Sequence, residues 1–216
     1  MILITEYYID SDKERQSEII DCLLKNIANN YINKIILLKD KNVKLNIESK
    51  KLEILEWNKR ATFSDLFNAA NRCESIKIIA NNDIYFDNSI KYCLNIPKNT
   101  VYALTRWNLN KDNSLTFQNM RSSQDVWIFK SHIKIKADFY VGISGCDNRL
   151  AYELYKNDYS LENPSLTIKV IHNHFSKRKS NIKKYNMTTP TKVKKNIKKG
   201  RVIRPYKLII PTKLKK

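Results

Sequence analysis

The sequence predicts an α/β domain, a mixed and mainly parallel sheet with helices on both faces, over residues 1–176, followed by a basic C-terminal tail over 177–216. Short apolar runs alternate with segments of helical period through the first half of the chain, as parallel strands joined by crossover helices require. One run, Ser75–Ala80, is almost continuously apolar and stops abruptly at Asn81-Asn82-Asp83, the pattern of a strand buried on both faces entering a polar loop. The boundary comes from charge. Of 40 Lys/Arg, 16 lie in residues 177–216 with no Asp or Glu among them, which leaves 24 basic against 21 acidic residues in 1–176. The net charge of +19 therefore belongs mostly to the tail and says little about the domain.

The elements follow in order. Ile2–Tyr8 reads as a strand. Ser11 and Glu14 have capping-box spacing, and Ile19, Ile20, Leu23, Leu24 and Ile27 recur at helical period, so a helix is expected from about Asp12 to Asn29. Lys34–Leu38 and Leu52–Leu55 read as strands, and Thr62–Arg72 as a helix with Phe63, Leu66, Phe67 and Ala70 on one face. The second half is more strand-like, with Val101–Leu104, Val126–Phe129, Phe139–Val141 and Leu166–Ile171, and one helix from about Asn148 to Asn157. After Phe175 the pattern dissolves into Lys, Asn, Thr and Pro, and Pro190, Pro205 and Pro211 break any long helix. Val202–Ile203 and Leu208–Ile210 are apolar enough to dock as short extended pieces.

Composition excludes several classes. A hydrophobic content of 42% with 12 Tyr and 7 Phe is globular, not disordered. Cys22, Cys73, Cys93 and Cys146 show no ligand-like spacing, and the longest aliphatic run, Ile35–Leu38, is far too short to cross a bilayer. Met1-Ile2-Leu3-Ile4 leads directly to Glu6 and Asp10 with no basic n-region or cleavage site. The reading is a soluble, cytoplasmic protein in a reducing compartment, with no signal peptide or transmembrane segment.

Three motifs could carry chemistry. Asp83, just past the end of a central strand, suits a hard divalent cation bridging a diphosphate, or alternatively a solvated Asx turn. Gly142-Ile143-Ser144-Gly145-Cys146-Asp147-Asn148 holds two of the three glycines immediately before a predicted helix; it reads as a close backbone approach to a ligand with a carboxylate at the helix start, or as a helix cap at Asp147. His172 and His174 share one side if their strand continues, either as ligands or as surface residues. Arg106-Trp107 and Gln124-Asp125-Val126-Trp127 set polar groups beside an indole, which suits a sugar ring or an ordinary core.

Taken together these segments resemble GT-A-like glycosyltransferases, of the family 2-like group found in bacteria and large DNA viruses. The matching stretches run in order from Thr5-Glu6-Tyr7-Tyr8 and Glu14-Arg15-Gln16 through Arg60-Ala61-Thr62-Phe63, Ile79 to Asp87, Ala103 to Trp107 and Ser123 to Phe129, ending with Gly145 to Arg149 and Asn163-Pro164-Ser165. The resemblance implies a nucleotide-sugar donor, UDP-linked first of all, a glycan or glycoconjugate acceptor, and Mn²⁺ or Mg²⁺. It puts Asn81-Asn82-Asp83 in the place of the DxD metal motif, with Asn at the first position, and His172 or His174 in that of the late metal ligand. Thr5, Glu6, Tyr7, Asp40 and Arg60 fall on the nucleotide loops, with Asn81 and Arg106 beside them. Asp147 falls where inverting members carry the catalytic base, and Trp107, Gln124, Asp125, Gly145 and Asn148 are the accompanying substrate-binding candidates. The rival class is a nucleic-acid- or polyanion-binding protein acting through its basic tail, and a further rival is a sugar-nucleotide-binding domain without turnover. A nearly balanced domain with no recognition motif makes nucleic acid the weaker partner. An anionic membrane surface touched by the tail is the stronger one.

Overall fold

The computed structural model describes residues 1–143, 145–176, 197–198, 201–202 and 207–214. Its main sheet has seven strands: β1 (Ile2–Tyr7), β2 (Lys34–Lys39), β3 (Leu52–Glu56), β4 (Lys77–Ala80), β6 (Thr100–Leu104), β9 (Val126–Phe129) and β10 (Ser160–Glu162), in the order β10-β6-β9-β4-β1-β2-β3. β1 pairs in parallel with β2 on one side and β4 on the other, and β3 extends the parallel run beyond β2. β9 runs antiparallel between β4 and β6. Its amino end therefore lies beside the carboxyl ends of its neighbours, which is how Gln124 and Asp125 reach the edge where Asn81 and Arg106 emerge.

Both faces of the sheet are buried, so strand period 2 splits the apolar residues into two cores. Ile36 and Leu38 join Ile4, Trp127 and Phe129 beneath α2 (Phe63–Ala70) and α3 (Cys146–Lys156). Ile35 and Leu37 join Leu3, Ile78 and Ile128 on the opposite face, beneath α1 (Lys13–Ala28). A smaller sheet, β5 (Ile84–Phe86), β11 (Val170–His172), β7 (Trp107–Leu109) and β8 (Leu115–Phe117), also covers that face, with Ile84, Phe86 and Val170 in its core. Asn26 and Asn29 of α1 tie it down by donating to the carbonyls of Ile84 and Phe86 at 2.8 and 3.0 Å.

Several local expectations are corrected. Asp12, not Ser11, caps α1, accepting from the backbone of Glu14 and Arg15. α3 begins at Cys146 behind Gly145, whose φ of 85° is the left-handed backbone that favours glycine; Asp147 sits inside the first turn and caps nothing. Phe139–Val141 forms no strand: Phe139 packs on Phe63, and Tyr140 makes a single bridge to Thr62. Leu166–Ile171 shrinks to Val170–His172 because Thr167 and Ile168 turn back onto the Pro164 carbonyl. The short strands β5, β7, β8 and β10 and the 3₁₀ segment Asn88–Asn95 have no sequence counterpart.

Most of the basic stretch 177–206 lies outside the described residues, apart from a two-residue pairing of β12 (Ile197–Lys198) with β13 (Arg201–Val202); Ile203 is among those outside. Residues 207–214 return to the domain. Lys207 and Ile209 donate to the carbonyls of Asn148 and Arg121, Thr212 donates to Asn163 at 2.7 Å, and Ile209 enters the α2/α3 core. Of the expected docking piece Leu208–Ile210, Ile209 alone is buried; Leu208 and Ile210 are exposed. Among the described residues no helix is long and apolar enough to cross a membrane.

Ile209 is 6% exposed and fills core space from the last described segment. Ile209→Ala should cost about 2–4 kcal/mol, the ordinary penalty for an emptied aliphatic site. Urea denaturation followed by circular dichroism measures it; a loss under about 0.5 kcal/mol would mean the segment contributes no core packing.

Candidate active site

The site forms where β1 and β4 part at the carboxyl edge of the parallel run, the crevice in which open α/β sheets bind ligands. Thr5, Glu6 and Tyr7 end β1, Asn81 and Asn82 follow β4, and these residues line one narrow crevice.

Asp83 is the centre of the first cluster. The turn after β4 buries it to 6% exposure, and its Oδ2 accepts from Arg15 Nη2 at 2.5 Å and lies 2.9 Å from His172 Nε2. His174 Nδ1 stands 3.5 Å from the same oxygen. Burial would raise the carboxyl pKa, but the two imidazoles and the Arg15 guanidinium outweigh it and hold Asp83 well below the usual carboxylate range. Behind it, Glu18 Oε2 accepts from Arg15 Nη1 at 3.1 Å, while Oε1 accepts from the backbone N–H groups of Phe175 and Ser176. Asn173 donates to Asp21 of the same helix. α1 and the strand carrying the histidines are thus joined by side chains on both flanks of Asp83.

Asp125 and Asp147 form the second cluster. Asp125 Oδ1 accepts from Arg106 Nη1 at 2.9 Å and from Asn81 Nδ2 at 3.1 Å. Asp147, in the first turn of α3, accepts from the backbone N–H of Gln124 and from Cys146 Sγ. Asp147 keeps part of its surface open, yet desolvation first and the charge of Asp125 second push its carboxyl up to about 7, against smaller opposing contributions that include Arg106. The two carboxylates have different neighbours: Asp125 is paired with arginine, and Asp147 is pushed up to about 7.

The other expected residues are placed with varying relevance. Glu6 accepts the Ala61 N–H at 2.9 Å, and burial raises its pKa. Arg60 donates to the Val141 carbonyl beside Gly142. Gln124 is buried and donates to the Arg121 carbonyl, and the Asn148 carbonyl receives Lys207. Thr5 spends its hydroxyl on the Ala80 carbonyl, and the Tyr7 hydroxyl accepts from Gln16. Asp40 accepts from the backbone of its own loop at Asn42. The Trp107 indole donates to the Ser165 carbonyl and packs on Phe117 in the small sheet. Arg15 and Glu18 were not anticipated. For Arg15 a signal was available: a cation in the first turn of a helix opposes the helix dipole and asks for a partner elsewhere.

Asp83, His172 and His174 can each offer a ligand atom, all within 4.8 Å of one another. Asp83 Oδ1 and His174 Nδ1 are buried without a hydrogen-bond partner. Buried acceptors left unmatched are what a cation would satisfy, so these residues fit a divalent metal.

No protein-family profile matches the sequence, and no curated protein does. Solved structures resemble the fold. A mannosyltransferase from Pyrobaculum calidifontis in complex with GDP-Man and Mn²⁺ superposes with a TM-score of 0.50 at 12% identity, covering 82% of this chain and 57% of that one. The chain has a GT-A-like fold. It spans little more than half the length of that mannosyltransferase. Similarity also extends to a 4-diphosphocytidyl-2C-methyl-D-erythritol synthase from Anaerococcus prevotii, with a TM-score of 0.41, 12% identity and coverage of 75% of this chain and 86% of that one. The inositol-1-phosphate CTP transferase from T. maritima gives a TM-score of 0.33 at 10% identity, covering 79% of this chain and 84% of that one.

The raised pKa of Asp147 ties stability to pH. Its folded value of about 7 lies above the ordinary 3.8, so between these values the folded state holds a proton that the unfolded state has released. This contribution is present in full below pH 3.8 and is lost as pH rises through about 7. Asp147→Asn carries no such proton, so its melting temperature should gain on wild type from pH 4 to pH 8. Parallel melting curves for the two chains across that range would show that Asp147 titrates normally.

Proposed function

We propose that this GT-A-like domain transfers a sugar from a nucleotide-sugar donor to a hydroxyl acceptor by a single displacement, with Asp147 as general base. The observation that carries the reading is the pair of clusters on one sheet edge: a buried carboxylate–imidazole set, and a neighbouring carboxyl group poised near pH 7. The Mn²⁺ and GDP-Man held by the mannosyltransferase that shares the fold are consistent with it. Asp83, His172 and His174 would hold the metal, and two imidazoles favour Mn²⁺ over Mg²⁺. A bound divalent cation supplies Lewis-acid stabilisation of the charge on a departing nucleoside diphosphate.

The remaining work falls to the chain. Thr5, Glu6 and Tyr7, at the carboxyl end of β1, would lie on the donor side, with Arg60 held to the Val141 carbonyl. Asp147 takes the acceptor hydroxyl proton as the oxygen attacks the anomeric carbon and the bond to the diphosphate breaks. A base titrating near 7 is ionised often enough at neutral pH to act and basic enough to accept the proton. Asp125 keeps its neighbour basic through its charge, while Arg106 and Asn81 hold Asp125 in place. Residues 1–176 and the docked segment 207–214 would together make the catalytic unit, and the basic residues between 177 and 206 would hold it at an anionic membrane near a membrane-bound acceptor.

Thermal-shift titration with UDP-, GDP- and dTDP-sugars, with and without Mn²⁺, should find one donor class that stabilises the chain. With that donor and its acceptor, Asp147→Asn should lose roughly 100-fold or more in turnover while still binding donor. A variant that turned over at the wild-type rate would remove Asp147 as the base, and a chain stabilised by no nucleotide sugar would remove the donor assignment.

The tail is tested by charge. Truncation from 182 onward would also strip Ile209 from the core. Replacing the lysines at 183, 184, 194 and 195 with glutamine should markedly weaken co-sedimentation with phosphatidylserine vesicles at low salt and leave melting unchanged. Unaltered co-sedimentation would discard the membrane role.

A further inference from the structure

We propose that Arg15 is the resident counter-cation of the Asp83 site and competes with the divalent metal for the same carboxylate. The proposal rests on Asp83 being a metal ligand. Three observations support it. Arg15 Nη2 lies 2.5 Å from Asp83 Oδ2, the oxygen that also meets His172, so a metal drawing on this carboxylate and imidazole arrives beside the guanidinium and competes with it for the same negative charge. The ion pair is shielded, with Arg15 12% and Asp83 9% exposed at the side chain, so water screens little of the repulsion between a guanidinium and an arriving dication. Lastly, Arg15 is the third residue of α1, where a positive charge works against the helix dipole and where Asp83 supplies the compensation.

The guanidinium has a second anchor. Arg15 Nη1 donates to Glu18 Oε2, and Glu18 is itself fixed by the backbone of Phe175 and Ser176 and by the Ser176 hydroxyl. Arg15 can therefore leave Asp83 without losing its countercharge, swinging about a carboxylate that does not move. With metal absent, Arg15 neutralises Asp83 and keeps the cluster closed. With metal bound, Asp83 turns to the ion and Arg15 remains on Glu18 alone. Metal binding and the Arg15–Asp83 ion pair oppose each other, and the metal affinity of the site is lowered by the free energy of that ion pair.

The test is titration of Mn²⁺ alone, without nucleotide, into the full chain by calorimetry. Arg15→Gln should bind Mn²⁺ at least about tenfold more tightly than wild type, because a like charge facing the ion has been removed. Arg15→Lys retains the charge and should stay within about threefold of wild type. Glutamine at the third helical position behind the Asp12 cap also suits the start of a helix, so the fold should survive, which circular dichroism checks. Should that variant fail to fold, Arg15→Met keeps the stem and serves the same comparison. If Arg15→Gln binds Mn²⁺ no more tightly than wild type, or if Arg15→Lys tightens binding as much as Arg15→Gln, the competition is overturned and the metal site stands. If no chain binds Mn²⁺, the metal site falls and the competition with it, while donor binding without metal, read by thermal shift, still bears on the transferase reading.

Discussion

The buried charge of Asp83 is the constraint around which the rest of the site is arranged. A carboxylate out of water must be compensated, and here the compensation comes from parts of the chain far apart in sequence: Arg15 in α1, and His172 and His174 at the end of β11. Meeting that demand fixes α1 against the small sheet, and Glu18 and Asp21 repeat the connection on either side. The geometry of the crevice between β1 and β4 follows, because α1 supplies one wall through Ile19, Leu23 and Asn26.

The second cluster uses the same physics for a different end. Asp125 is held by Arg106 and Asn81, whereas Asp147 receives a backbone N–H and a thiol and remains close to the Asp125 charge. Asn81 belongs to the turn that presents Asp83, so its hydrogen bond to Asp125 joins the two clusters. Its amide donates to Asp125, which a carboxylate at that position could not do. The Asn that departs from the expected metal motif therefore has a structural use: it links the edge of β4 to the start of the antiparallel β9.

The central strands of the main sheet were legible because they are buried on both faces and announce themselves as apolar runs; Val126–Phe129 coincides with β9, and Ser75–Ala80 overlaps β4, whereas the exposed edge strand β10 gave no signal. The small sheet was not, since three-residue strands such as Trp107–Leu109 and Leu115–Phe117 are half-exposed and too short to show a period. Asp83, His172 and His174 could be picked out singly, but their convergence depends on β11 pairing antiparallel with β5, which brings His172 to Asp83 across 89 positions of sequence. Asp147 was ambiguous between cap and active group because a carboxylate near a helix start serves either purpose. The left-handed Gly145 ahead of it takes the N-cap position, which removes the cap reading. Lys77 escaped notice as well. Its stem lies in the core at 1% exposure and its ammonium donates to the Lys130 carbonyl, and burial lowers its pKa.

The return of residues 207–214 bears on how the protein is made. A ribosome releases residues in order, so Ile209 reaches the core only after α2, α3 and every strand of the main sheet have left the exit tunnel. The backbone bridges from this segment to Arg121 and Asn148 flank Gln124 and Asp147. Until synthesis has passed this point, a nascent chain has an unfilled hole beneath α3 and an unbraced second cluster. Packing of this edge of the sheet is in this way completed only once residues 207–214 have been made.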